Sequence, residues 1–174
     1  ANYRGFEVYE CPPNGQGVIA LMIMKILEGF DFNDIDYDSA LRIHLQAEAT
    51  KIAYSHRSHY LADPEFSDVP VEKLLSDEYI EKLRSLINID SCININYRPD
   101  LPKHENTVYI SVVDKNKNVV SLINSIFNSF GSGIVAPESG VLFQNRGASF
   151  VLESNHPNVI AGGKRPMHTI IPSL

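Results

Sequence analysis

Asn106-Thr107-Val108-Tyr109-Ile110-Ser111-Val112-Val113-Asp114 sets a threonine at the head of an apolar, β-branched run that reads as a strand. Such a threonine can be an ordinary strand residue. It can also be a nucleophile carrying its own base, if cleavage frees its backbone nitrogen. The polar turn Asp114-Lys115-Asn116-Lys117-Asn118 follows, and the apolar pattern resumes from Val119 to Ile123. The spacing predicts a β-hairpin with Thr107 at its outer end.

Upstream the period is helical. Phe6 to Glu10 alternates like a short strand and runs into Pro12-Pro13-Asn14-Gly15-Gln16-Gly17, whose prolines and glycines punctuate a loop. Ile19, Ile23, Ile26 and Leu27 share one face of a first helix that Gly29 stops. Asp38 is placed to cap a second helix, with Leu41, Leu45, Ala49, Ile52 and Ala53 at helical spacing and an end before Arg57. A loop over Asp63 to Pro70 precedes a third helix, starting at Ser76 or Asp77 and running through Leu83 to Ile87. The polar segment Asp90 to Glu105 reads as a mobile, exposed linker. Beyond the hairpin, Gly131-Ser132-Gly133 is a turn that lacks the lysine and helix of a phosphate-binding loop, and Val141 to Gln144 is a short strand.

Composition bounds the function classes. The 174 residues fit one domain, 44% of them are hydrophobic, and the net charge of -6 argues against a nucleic-acid groove. The longest apolar run, Val18 to Met24, is too short to cross a bilayer, and no signal peptide is visible at Ala1. A soluble protein is expected, cytoplasmic rather than secreted. Cys11 and Cys92 lack paired spacing and are expected to be buried, inert thiols. His56 and His59 have no matching ligand pair, and His44 and Glu48, one helical turn apart, read as an exposed or capping contact. Arg57 and Asp63 are expected to form a local ion pair or loop hydrogen bonds. No metal site is expected.

From Thr107 onward the chain resembles the γ-glutamyltranspeptidase family of N-terminal nucleophile (Ntn) hydrolases. The likeness rests on Thr107 followed by Ser111-Val112-Val113-Asp114, on Phe130-Gly131-Ser132-Gly133-Ile134-Val135-Ala136-Pro137-Glu138-Ser139-Gly140, and on Lys164-Arg165-Pro166. Tyr3-Arg4-Gly5, Pro12-Pro13, Ile26-Leu27-Glu28-Gly29-Phe30-Asp31 and Arg57-Ser58-His59-Tyr60-Leu61-Ala62-Asp63-Pro64 look like the end of the family's large subunit. The resemblance implies part of an αββα four-layer sandwich of the α+β class. Residues 1–106 would be the helical end of a large-subunit-like region and residues 107–174 the β-rich start of a small-subunit-like region, within one domain. It further implies self-cleavage between Asn106 and Thr107, an acyl-enzyme on Thr107, and no cofactor. Ser125 stands where the family has a second threonine that hydrogen-bonds the nucleophile.

The family's γ-glutamyl pocket uses an asparagine, a glutamine, an aspartate and two serines; here those positions are Phe127, Arg146, Ser149, His168 and Thr169. The acidic partner for a substrate ammonium group is gone. Arg146 suits a carboxylate instead, and Gln144-Asn145-Arg146-Gly147-Ala148-Ser149-Phe150 is similar to the branch containing glutaryl-type cephalosporin acylases. The expected activity is therefore hydrolysis or acyl transfer on a γ-glutamyl, glutathione-like or glutaryl-type N-acyl amide. A non-catalytic homologue that keeps the scaffold is the alternative. Family members extend beyond both ends of this chain, including the glycines of the oxyanion hole. The piece alone is thus expected to be inactive without its remaining subunit segments, and a homo-oligomer is open.

Overall fold

The computed structural model describes residues 1–95 and 107–174. Asn106, on the acyl side of the expected cut, and most of the expected linker lie outside the described residues. The chain begins with a two-stranded ribbon, β1 (Asn2–Tyr3) against β2 (Phe6–Glu7). Four helices follow: α1 (Gly17–Glu28), α2 (Ala40–Tyr60), α3 (Val71–Leu74) and α4 (Asp77–Arg84).

Most of the core is helical. In α1, Val18, Ile19, Met22 and Ile26 are buried, a one-face spacing that aims at α2. There Ala49 and Ala53, both 0% exposed, let the two helices approach closely around Ile52. Ile80 and Leu83 of α4 close the cluster, and Met167 joins it from the far end of the chain. The C-terminus of α1 has a tertiary cap. Arg84 donates from Nε to the Ile26 carbonyl at 3.0 Å and from Nη2 to the Lys25 carbonyl at 2.8 Å. That guanidinium lies where a side chain at Gly29 would stand, since a Cβ there would collide with Arg84 Nε.

Three boundaries differ from the sequence reading. The cap of α2 is Ser39, whose hydroxyl accepts from Arg42 N at 3.2 Å, rather than Asp38. The helix also continues past Arg57 to Tyr60. Arg57 lies 4.2 Å from the Tyr54 ring centroid and donates to Gln16 Oε1, and it and His59 complement the negative end of the helix dipole. The third predicted helix stops at Arg84, although Ile87 still packs on the core. The short α3 had no signal in the sequence.

The second half carries the hairpin, β3 (Thr107–Val113) against β4 (Val119–Ser125), in a seven-pair antiparallel register from Thr107↔Ser125 to Val113↔Val119. Asp114 sets that register. Its carboxylate accepts from Asn116 N, Asn118 N and Asn118 Nδ2, each at 2.8 Å, and these bonds, the Asn118 side chain foremost, hold its pKa below the ordinary carboxylate value. Every residue of β3 is exposed, although Val108, Ile110 and Val112 make one of its faces wholly apolar. Antiparallel ribbons with one apolar face commonly pack that face against other structure. Tyr109 and Ser121 tie the hairpin to the tail by donating to the Ser173 carbonyl at 2.9 and 2.8 Å.

Val141 to Gln144 does not form the expected strand, making only a bridge from Leu142 to Val135 among the described residues. Cys11 and Cys92 are exposed, correcting the expectation of buried thiols. Asp63 makes an expected loop hydrogen bond, accepting from Glu65 N at 3.2 Å, but its ion-pair partner is Arg165, 102 residues on, rather than a neighbour. Its carboxylate accepts from Arg165 Nη2 at 2.6 Å, Arg165 Nε at 3.1 Å and Arg165 N at 2.8 Å. This clamp joins the end of α2 to the Lys164-Arg165-Pro166 turn. No helix among the described residues is long and apolar enough to cross a membrane.

Candidate active site

The hairpin register brings the two hydroxyls together. Thr107 Oγ1 and Ser125 Oγ, opposite one another at the open end of the ribbon, are 3.1 Å apart. Ser125 Oγ also accepts from Phe127 N at 3.2 Å. Its hydroxyl proton is therefore available to Thr107, and its lone pairs are partly spoken for by the backbone.

Phe127 lies two residues past Ser125 with φ of 78°, a left-handed backbone that a bulky residue adopts only under constraint. Its ring is 0% exposed. Arg146, from the 3₁₀ turn Arg146–Ser149, sits over it with its guanidinium carbon 5.4 Å from the ring centroid. The same guanidinium donates to Thr169 Oγ1 at 3.2 Å. Arg146 is 4% exposed, and no carboxylate pairs with it among the described residues. Burial lowers its pKa, but a guanidinium stays protonated.

His168 is the fourth group. Its Nδ1 lies 2.7 Å from the Pro166 carbonyl oxygen and 2.9 Å from Asn14 Nδ2. Asn14 Nδ2 also donates to the Pro166 carbonyl at 2.6 Å, and Gln16 Nε2 to the Thr169 carbonyl at 3.0 Å. Burial, against the pull of the Pro166 carbonyl and with help from Arg146 and Arg165, lowers the His168 pKa below 6.5. A base whose folded pKa is depressed penalises protonation of the fold. Stability from this residue is present at higher pH and lost as pH falls below about 6.5 toward the folded value. His168→Gln should flatten that limb of a melting-temperature profile between about pH 7.5 and pH 5, and an unchanged limb would place the effect elsewhere.

Ser149 is placed differently from the other four. It is 2% exposed, and its hydroxyl is shared between the Arg146 and Met167 carbonyls, both at 2.8 Å. As it stands it braces the turn that presents Arg146. The structure thus brings Thr107, Ser125, Phe127, Arg146 and Thr169 into one chain of contacts, with His168 beside Thr169. Asn14 and Gln16 were read only as loop punctuation, yet their amides support the His168-Thr169 segment. A loop of two polar amides among prolines and glycines was the signal available.

With this geometry the chain can be placed. All of it, residues 1–174, matches Gamma-glutamyltranspeptidase, and the chain belongs to that family. It is 38% identical over 174 residues to the Glutathione hydrolase-like YwrD proenzyme of Bacillus subtilis (strain 168), covering 100% of this chain and 32% of that protein. Against the Glutathione hydrolase proenzyme of Escherichia coli (strain K12) it is 37% identical over 188 residues, covering 99% and 32%. The crystal structure of cephalosporin acylase from Bacillus halodurans matches with a TM-score of 0.82 at 40% identity, over 99% of this chain and 31% of that one. The resemblance read from Thr107 and its flanking motifs is borne out, as is the expectation of a partial Ntn-hydrolase fold. The chain spans about a third of the length of each of these relatives.

Proposed function

We propose that the protein containing this chain is an N-terminal-threonine amidohydrolase or acyltransferase that cuts itself between Asn106 and Thr107. The observation carrying this reading is the 3.1 Å contact of Thr107 Oγ1 with Ser125 Oγ at the end of a registered hairpin, within the family's motif order. In maturation, Thr107 Oγ1 attacks the Asn106 carbonyl carbon, and the peptide C–N bond breaks as the ester C–O bond forms. Water then hydrolyses the ester, giving the Asn106 carboxylate and a free Thr107 amine. The cut divides a region holding α1 to α4 from one holding the hairpin and Arg146.

In turnover the Thr107 amine takes the hydroxyl proton as Oγ1 attacks the substrate amide. That proton passes to the leaving amine, and water or an acceptor amine releases the acyl group. Ser125 donates to Oγ1 and keeps the nucleophile oriented.

The acyl group we assign is one ending in a carboxylate, of the glutaryl type, in preference to a γ-glutamyl group. A buried Arg146 with no carboxylate among the described residues suits an anion. The pocket positions supply no acid to offset a substrate ammonium group, whose burial would be costly. The relatives carry the names glutathione hydrolase and cephalosporin acylase, so members of the family differ in the substrate named. Hydrolysis of glutaryl and γ-glutamyl anilides by the full-length protein separates them. The glutaryl compound is expected to have the higher kcat/KM, and equal or better use of the γ-glutamyl one would refute the assignment.

A further inference from the structure

We infer that His44, Glu48 and Cys92 form a site for a borderline-soft divalent metal, Zn²⁺ above all. His44 and Glu48 are one turn apart on α2 and so share a face. Beyond α4 a tight turn, closed by the Asn88↔Ser91 bridge, brings Cys92 over that face. One ligand atom from each residue lies within 4.8 Å of the others. Bonds of about 2.0–2.3 Å in tetrahedral array set ligand atoms roughly 3.3–3.8 Å apart, so small side-chain rotations close the site.

The site is already braced. Glu48, 1% exposed, accepts from Ile93 N at 2.6 Å through Oε2, and His44 Nε2 lies 2.8 Å from the Asn88 carbonyl oxygen. These contacts fix the loop to the helix and hold the imidazole, as outer partners do around metal ligands. Burial pushes the Glu48 pKa up, but the Lys51 ion pair and the Ile93 N–H outweigh it, so the carboxylate is held ionised. Lys51 Nζ, 2.6 Å from Glu48 Oε1, is the one competing cation at this carboxylate among the described residues, and its half-exposed side chain can swing into solvent. The exposed Cys92 leaves the approach open.

The donor set decides the ion. One imidazole nitrogen, one carboxylate oxygen and one thiolate suit Zn²⁺, Co²⁺ or Cd²⁺, whereas Mg²⁺ and Ca²⁺ require oxygen ligands. Binding replaces the S–H bond of Cys92 with a metal–sulfur bond and releases one proton to solvent. Solvent fills the fourth position. The role is structural: the ion would fasten α2 to the turn that carries Cys92.

The test uses the full-length protein, reduced, titrated calorimetrically with Zn²⁺ alone and by absorbance with Co²⁺. One equivalent should bind with a Kd at or below about 1 µM, release one proton and give a thiolate-to-cobalt charge-transfer band. Cys92→Ser and His44→Ala should each weaken binding about a hundredfold, with amidase activity unchanged and circular dichroism intact. Lys51→Met should tighten binding, which a purely structural Glu48–Lys51 pair would not predict. Cys11→Ser should change nothing. Absence of the thiolate band, or a Zn²⁺ affinity indifferent to Cys92→Ser and His44→Ala, would overturn the site.

Discussion

Thr107→Ala in the full-length protein is expected to yield a single uncut polypeptide and no measurable amide turnover. Both losses would have one cause, because in the proposed mechanism the same oxygen attacks the Asn106 carbonyl in maturation and the substrate carbonyl in catalysis. Losing a nucleophile of this kind costs roughly 10⁴–10⁶ in kcat, and here alanine also keeps the amine that would act as base inside a peptide bond. Intact-mass measurement over days reads the first effect and anilide hydrolysis the second. Thr107→Ser keeps a hydroxyl opposite Ser125 and should still cut, more slowly. Retained turnover in the alanine variant would remove Thr107 from the mechanism. A wild-type protein that never cuts and forms no acyl-enzyme would instead favour a non-catalytic scaffold.

The second large effect belongs to Arg146. Arg146→Met keeps the length of the side chain and its contact with Phe127 but removes the charge, and the site no longer bears an unneutralised buried cation. Charge-assisted hydrogen bonds to a substrate carboxylate are worth about 1.5–3 kcal/mol, so kcat/KM for a glutaryl anilide should fall roughly 10- to 150-fold. A butyryl anilide, the glutaryl chain with its carboxylate removed, should change little. The contrast carries the meaning. Equal losses on both substrates would make Arg146 a brace for Phe127 and Thr169 rather than a binding group.

Much of the site was readable in the chain because the parts that matter are local. The alternation of Val108 to Val113, the Asp114-to-Asn118 turn and the return from Val119 determine the hairpin, and the hairpin alone places Thr107 opposite Ser125. The departures at Phe127 and Arg146 were visible as residue types. Their stacking and the positive φ of Phe127 were not, because no local pattern encodes them. The misses share a physical origin. Asp63 finds Arg165 across 102 residues, and Glu48 finds the backbone of Ile93 across 45, contacts that only tertiary folding creates. Arg57 extends α2 because Tyr54 and Gln16 receive it, whereas polar composition alone suggested an end. Cysteine is commonly buried by residue type, yet Cys11 sits beside a proline loop and Cys92 in a polar turn, and position prevailed.

The ribbon that carries Thr107 also governs how this piece of protein can be handled. Among the described residues β3 and β4 pair only with each other, so each strand keeps one open edge, and Val108, Ile110, Val112 and Leu122 face water. Open edges flanked by oily faces are templates for strand addition between molecules. Produced without the segments that flank the matching region in its relatives, the polypeptide would meet self-association at this ribbon before any question of catalysis arose. Keeping it soluble would require covering the same strands that position Thr107.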